Sequence, residues 1–112
     1  MKARTPGLGR IRAIVYVRER DAERCRRWAG CHDWTVAAVV REISPDGPPM
    51  ARLGLRTVFG LLDAGCATVL LAATRTEVAE GPDGFLKVCA RVERAGGFVH
   101  VLDDPEEDGH AP

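Results

Sequence analysis

Apolar residues along this chain alternate between short runs typical of buried strands and spacings typical of amphipathic helices. Four runs rich in β-branched residues predict strands over residues 11–17, 35–41, 67–73 and 98–102. The third run is almost continuously apolar, as expected for a central strand covered on both faces. Because strands that alternate with helices favour a parallel sheet with right-handed crossovers, we predict an α/β fold. Its architecture is a three-layer sandwich around a mainly parallel four-stranded sheet.

Three amphipathic segments between these runs predict helices. The first has Asp21 as its predicted N-cap and Asp33 as its left-handed stop, while Gly65 is expected to end the second and Gly96-Gly97 the third. The third begins at Pro82, a residue favoured in the first helical turn. The inward stripes are Cys25, Trp28, Ala29 and His32 in the first helix; Leu55, Val58, Phe59 and Leu62 in the second; and Phe85, Val88, Cys89 and Val92 in the third.

The remaining segments lack hydrophobic periodicity and set the domain organisation. Proline and glycine over residues 44–49 predict a loop of the kind that often borders a site. We expect one α/β domain over residues 11–104. A flexible N-terminus over residues 1–10 and an acidic, disordered tail over residues 105–112 flank it.

The charge of the 112 residues sums to zero, but it is unevenly distributed. Residues 1–30 hold nine Lys or Arg, whereas the C-terminal tail is acidic. A balanced total argues against strong nonspecific nucleic-acid binding, while a local basic face allows weak DNA or phosphate binding. No apolar stretch approaches the ~20 residues of a membrane helix, and the N-terminus has no signal-peptide pattern. We therefore expect one soluble cytoplasmic domain with no membrane contact.

The cysteines do not form a metal-binding or disulfide pattern. Cys25, Cys31, Cys66 and Cys89 include no Cys-x-x-Cys pair, so they are expected to be reduced core thiols. Cys25, Cys31 and His32 lack a second pair of ligands, which argues against zinc. The sequence predicts no metal and no cofactor. Trp28 and Trp34 fit core packing better than base stacking.

The first strand ends in the charged segment Tyr16-Val17-Arg18-Glu19-Arg20. In open α/β sheets, ligands gather beyond the carboxyl ends of the strands, so Arg18 and Arg20 lie where a site would form. The alternative is that both arginines are ordinary solvated loop residues.

Several segments in order resemble the catalytic domain of serine recombinases, the resolvase and invertase family. The first strand resembles the family's Tyr-x-Arg-x-Ser signature, and the likeness extends over most of residues 11–104. The other matching pieces are the Cys25-Arg26-Arg27-Trp28-Ala29 helix running into Trp34-Thr35-Val36, the helix from Arg52 through Leu55 to Gly65, the Val69-Leu70-Leu71 strand, and Ala95-Gly96-Gly97-Phe98-Val99.

The resemblance implies that the chemistry of that family is lost. In the family, the serine of the signature attacks a DNA phosphodiester and becomes joined to the 5′ end, but this chain has Arg20 at that position. A guanidinium is always protonated and has no lone pair with which to attack phosphorus. Arg18, Arg52 and Arg75 match arginines of the family, whereas Thr74 and Val78 replace an aspartate and a further arginine. The family's long dimerisation helix and its helix-turn-helix domain have no counterpart in these residues.

Three functions follow as hypotheses. The first is a catalytically inactive resolvase-like domain, a pseudoenzyme that serves as an interaction or regulatory module with an unknown protein partner or by self-association. The second is binding of phosphate, a nucleotide or a DNA end through an arginine cluster; its members are Arg18, Arg20, Arg52 and Arg75. If Glu19 and Glu77 pair with these arginines instead, the cluster is a self-neutralised surface that binds no anion. The third is an enzyme that uses Thr74 or Thr76, although no base is placed by sequence to activate either hydroxyl.

Overall fold

Four parallel strands form one sheet in the computed structural model of the protein, which describes residues 10–18, 21–43 and 47–103. The predicted parallel sheet is confirmed, and the strand bounds agree with the predicted ones to within two residues. The strand order in the sheet is β2-β1-β3-β4. The strands are β1 (Arg12–Val17), β2 (Thr35–Arg41), β3 (Val69–Thr74) and β4 (Phe98–Asp103).

Four helices connect these strands, one more than the sequence pattern predicted. The additional helix follows β3 without a loop, because the Thr74 hydroxyl accepts a hydrogen bond from the Glu77 backbone N–H and caps it. A single 3₁₀ turn at Pro49–Ala51 precedes the second helix. The helices are α1 (Glu23–Cys31), α2 (Leu53–Asp63), α3 (Arg75–Val78) and α4 (Pro82–Arg94).

The predicted helix ends are correct, but one predicted helix start is wrong. Asp33 has the predicted left-handed conformation, with a φ of 62°, and the stops at Gly65 and Gly96 share it, with φ values of 81° and 92°. The N-cap of α1 is Ala22 rather than Asp21. Asp21 lies one residue earlier, where its side chain accepts a hydrogen bond of 3.1 Å from the Glu23 N–H.

The sheet separates two apolar layers. On one face α1 packs Cys25 and Ala29 against the residues of β1 and β3 that point towards it, such as Val15 and Leu71. On the other face α2 and α4 cover the intervening residues. Every side chain of β3, and every side chain of β1 after Arg12, is buried, as expected for central strands.

Several predicted core positions are more exposed than expected. His32 is exposed and Trp28 half-buried, because α1 ends at Cys31 and His32 serves as its C-cap. Cys31 and Cys66 are also exposed, so only Cys25 is a fully buried thiol. Burial raises the pKa of Cys25 to about 11, which keeps this thiol protonated at neutral pH.

Some sequence predictions fall outside the described residues. These include Glu19, the lost nucleophile position Arg20, Ser44 and most of the two terminal segments. In the described part of the chain, no three His, Cys, Asp or Glu residues are grouped as a metal site would need. No described helix is both long and apolar enough to cross a membrane.

Candidate functional site

Arg18 follows β1 at the carboxyl edge of the sheet, and its side chain is turned towards α3. Its guanidinium donates to the Thr76 carbonyl oxygen at 3.0 Å, and it lies 3.6 Å from the Glu80 carboxylate. The Arg18 backbone N–H donates to Glu77 Oε1 at 2.9 Å. Only 8% of the Arg18 side chain is exposed, and its buried Nε has no hydrogen-bond partner among the described residues.

Arg52 contacts the same short helix from the start of α2. It is the N-cap residue of α2, and only 4% of it is exposed. Its guanidinium donates to the Val78 carbonyl oxygen at 3.1 Å, while its buried Nε also has no partner among the described residues. Arg18 and Arg52 therefore both contact the α3 segment, at carbonyl groups two residues apart.

Arg75 is the first residue of α3 and lies at the same edge, but its side chain turns towards α4. Its guanidinium carbon is 5.0 Å from the centroid of the Phe85 ring, a cation–π distance. The structure thus places Arg18, Arg52 and Arg75 around one helix, as parallel topology requires. The guanidinium groups of Arg18 and Arg52 contact carbonyl oxygens of that helix, whereas that of Arg75 lies over the Phe85 ring.

The two threonines considered as alternative nucleophiles contact each other. The Thr74 and Thr76 hydroxyl oxygens are 2.9 Å apart. Thr74 is buried and caps α3, so its hydroxyl already has a structural role. Thr76 is exposed at the surface of the same helix.

A buried carboxylate that the sequence analysis did not identify lies beside Arg52. Glu42, immediately after β2, is 5% exposed and accepts hydrogen bonds from the Tyr16 hydroxyl at 2.6 Å and the Gly54 N–H at 2.8 Å. Burial, and then the hydrogen bond to Glu42, raise the pKa of the Tyr16 phenol, while Arg52 acts in the opposite direction. The only sequence signal for this site is an acidic residue that directly follows a strand.

The start of α2 closely surrounds this carboxylate. A Cβ atom on Gly54 would lie 2.6 Å from Glu42 Oε1, so no side chain fits at this position without displacing Glu42. The glutamate caps the N-terminus of α2 from a distant part of the sequence, where a negative charge is favourable. It thereby joins β1, β2 and α2 through one polar network.

A cleft of about 400 Å³ opens next to this network, between the end of β2 and the start of α2. Its lining includes Arg41, Glu42, Arg52 and Thr57, together with the exposed apolar side chains of Ile43 and Leu53. The edge of the sheet therefore combines buried cations, a buried carboxylate and an open cleft.

Comparison with solved structures identifies the fold. The C-terminal catalytic domain of ISC1926 TnpA, an IS607-like serine recombinase, matches with a TM-score of 0.73 and 22% identity, over 88% of this chain and 75% of that one. The N-terminal catalytic domain of TP901-1 integrase matches with a TM-score of 0.74 and 11% identity, over 81% and 76% of the two chains. This chain has the fold of a serine recombinase catalytic domain.

A third solved structure shares this fold, with a lower score. The first open reading frame of transposon ISC1904 from Sulfolobus solfataricus P2 matches with a TM-score of 0.59 and 16% identity, over 86% of this chain and 73% of that one. No protein-family model matches the sequence, and no curated protein matches it. The fold resemblance predicted from the sequence is confirmed, and the serine recombinase fold provides the frame for the arginines described above.

Proposed function

We propose that this chain is a catalytically inactive domain of the serine recombinase fold that serves as a protein-interaction or regulatory module. The observation that carries this proposal is Arg20, which stands where the resemblance places the nucleophilic serine. A serine hydroxyl can attack phosphorus once it loses its proton, whereas a guanidinium stays protonated and cannot. The sequence contains only one serine, Ser44, and a proline follows it.

The contacts of the retained arginines support this proposal. Arg18 and Arg52 donate to backbone carbonyl oxygens of residues 76 and 78, and Glu80 lies beside the Arg18 guanidinium. An arginine that stabilises a phosphoryl transition state must direct its donors at the substrate. In this chain those donors hold α3 against the sheet, which is a structural role.

Incubation with supercoiled plasmid DNA tests the proposal. We expect no nicked, relaxed or protein-linked DNA from the wild-type protein, under conditions in which an active serine recombinase gives all three. Ser44→Ala, Thr74→Val and Thr76→Val are the matched variants. Cleavage by the wild type that any of these substitutions abolishes would show that the chain has a nucleophile elsewhere and is an enzyme.

Binding of a phosphate group is a second candidate function, favoured by one observation. The Nε atoms of both Arg18 and Arg52 are buried and lack hydrogen-bond partners among the described residues. A buried donor without a partner costs about 1–3 kcal/mol, so an anion that accepted these hydrogen bonds would be stabilised by them. The ligand would be inorganic phosphate, a nucleotide or a DNA end.

A further inference from the structure

The outer edge of β4 presents backbone groups that no other described strand satisfies. β4 is the last strand of the sheet, and β3 is the only described strand with which it pairs. The Phe98 N–H donates to the Thr68 carbonyl oxygen at 3.0 Å. Because backbone groups alternate in direction along a strand, those of Phe98, His100 and Leu102 face β3. The N–H and C=O groups of Val99 and Val101 therefore face outwards.

The other edge of the sheet is protected by a bulge, whereas none of the described residues protects the β4 edge in this way. In β2, the pairing with β1 shifts between Ala13 and Ile14, which leaves Ala37 as an extra, bulged residue. Bulges, prolines and charged side chains are the usual means by which edge strands avoid pairing with other chains. β4 pairs with β3 without a register shift and carries the sequence Phe-Val-His-Val-Leu before Asp103, with neither proline nor a permanent charge.

We infer that the outer edge of β4 pairs antiparallel with β4 of a second copy of this chain, with the two His100 residues opposite each other. A two-fold axis through this point joins Val99 of each copy to Val101 of the other, giving four backbone hydrogen bonds. It sets Phe98 opposite Leu102, an aromatic–aliphatic pair that stabilises antiparallel strands. The result is a continuous eight-stranded sheet across the dimer.

The side chains of β4 favour a second copy of this chain as the partner. They also favour the register with His100 opposite His100 over a register shifted by two residues. No charged residue lies between Phe98 and Leu102, so no like charges face each other within the paired segments. A register shifted by two positions would set Asp103 opposite Val99 of the second copy, where a carboxylate would lose solvent. The half-exposed rings of Phe98, His100, Trp28 and Trp34 lie together on one face of this edge, and pairing would cover them further.

This inference deepens the interaction-module proposal by naming a partner, but it depends only on the geometry of β4. If the protein cleaved DNA, the proposal of a catalytically inactive interaction module would be wrong, whereas the pairing of two β4 strands would be unaffected.

Sedimentation over a range of protein concentrations is the first test. We expect a concentration-dependent dimer in the wild type and a monomer in Val101→Pro, because proline removes an outward N–H without touching the hydrogen bonds to β3. Circular dichroism of the variant checks that it is folded. A wild type that stays monomeric at every concentration, or a dimer that persists in folded Val101→Pro, would overturn the inference.

Disulfide crosslinking tests the register without relying on the proline variant. In a chain with Cys31→Ser and Cys66→Ser, two His100→Cys residues would lie directly opposite, and oxidised glutathione would take up their two hydrogens to give one disulfide and two reduced glutathiones. In Phe98→Cys the two thiols would be about 13 Å apart along the strand, beyond disulfide reach. We expect a covalent dimer only with His100→Cys. Crosslinking through Val101→Cys instead would show a different register.

Discussion

At the scale of single residues, the polar network of Tyr16, Glu42 and Arg52 determines how the start of α2 is held. Glu42 is buried, and its two oxygens accept hydrogen bonds from the Tyr16 hydroxyl and the Gly54 N–H. A buried carboxylate is stable only when such donors surround it. Gly54 is required because a Cβ atom there would occupy the space of the Glu42 oxygens.

Gly54→Ala is therefore expected to lower the free energy of unfolding by about 1–3 kcal/mol, through displacement of Glu42 from its donors. Gly60→Ala is the matched control, because Gly60 lies on the same helix and no atom of the described residues lies within 4 Å of the position that its Cβ would take. This control should raise stability by about 0.5–1 kcal/mol, since alanine favours helix more than glycine. Urea unfolding of both variants checks the prediction, and equal effects would contradict it.

At the scale of elements, the end of α1 contacts β4 through aromatic rings. The Trp28 ring stacks on His32 with centroids 3.8 Å apart, and its centroid is 4.6 Å from that of His100. Burial, and then the charge of His32, lower the pKa of His100 below its usual 6.5. The contact between α1 and β4 therefore depends on a neutral His100.

We expect acidification to destabilise this contact. Because the folded state holds the His100 proton more weakly than the unfolded state, the contribution of His100 is complete above pH 6.5 and is lost as the pH falls through the lowered pKa. The melting temperature of the wild type should fall more between neutral and mildly acidic pH than that of His100→Gln. Tryptophan fluorescence reports this directly, since both tryptophans of the chain lie in this cluster. Parallel pH profiles for the two proteins would contradict the prediction.

At the scale of the whole molecule, parallel topology brings distant arginines to one edge of the sheet. Arg18 follows β1 and Arg52 precedes α2, and both donate to carbonyl oxygens of α3, whose first residue is Arg75. Arg75 is half-buried and lies over the Phe85 ring, whereas Arg52 is buried, so removal of Arg75 disturbs the core less than removal of Arg52. It is therefore the appropriate residue with which to test anion binding.

If the edge binds phosphate groups, inorganic phosphate, nucleotides and short DNA should bind at low salt and dissociate as salt rises. Arg75→Ala should weaken binding by about tenfold to a hundredfold, because a charge-assisted hydrogen bond contributes about 1.5–3 kcal/mol. Arg94→Ala, which removes an exposed arginine from the far end of α4, is the control and should have no effect. Calorimetric titration measures both. Binding that is absent, or unchanged in Arg75→Ala, leaves the interaction module as the remaining proposal.

The sequence determined the succession of the four strands and of α1, α2 and α4 along the chain, because hydrophobic periodicity depends only on neighbouring residues. Asp33 and Gly65 could likewise be predicted as helix stops, because a stop depends on the backbone conformation of a single residue. The strand order, α3 and the partners of Arg18 and Arg52 were decided by the tertiary structure. Glu42 could not be assigned from sequence, since its donors come from Tyr16 and Gly54, which are distant in the chain and meet it only after folding. A buried charge must find its hydrogen bonds in space, and spacing along the chain does not record them.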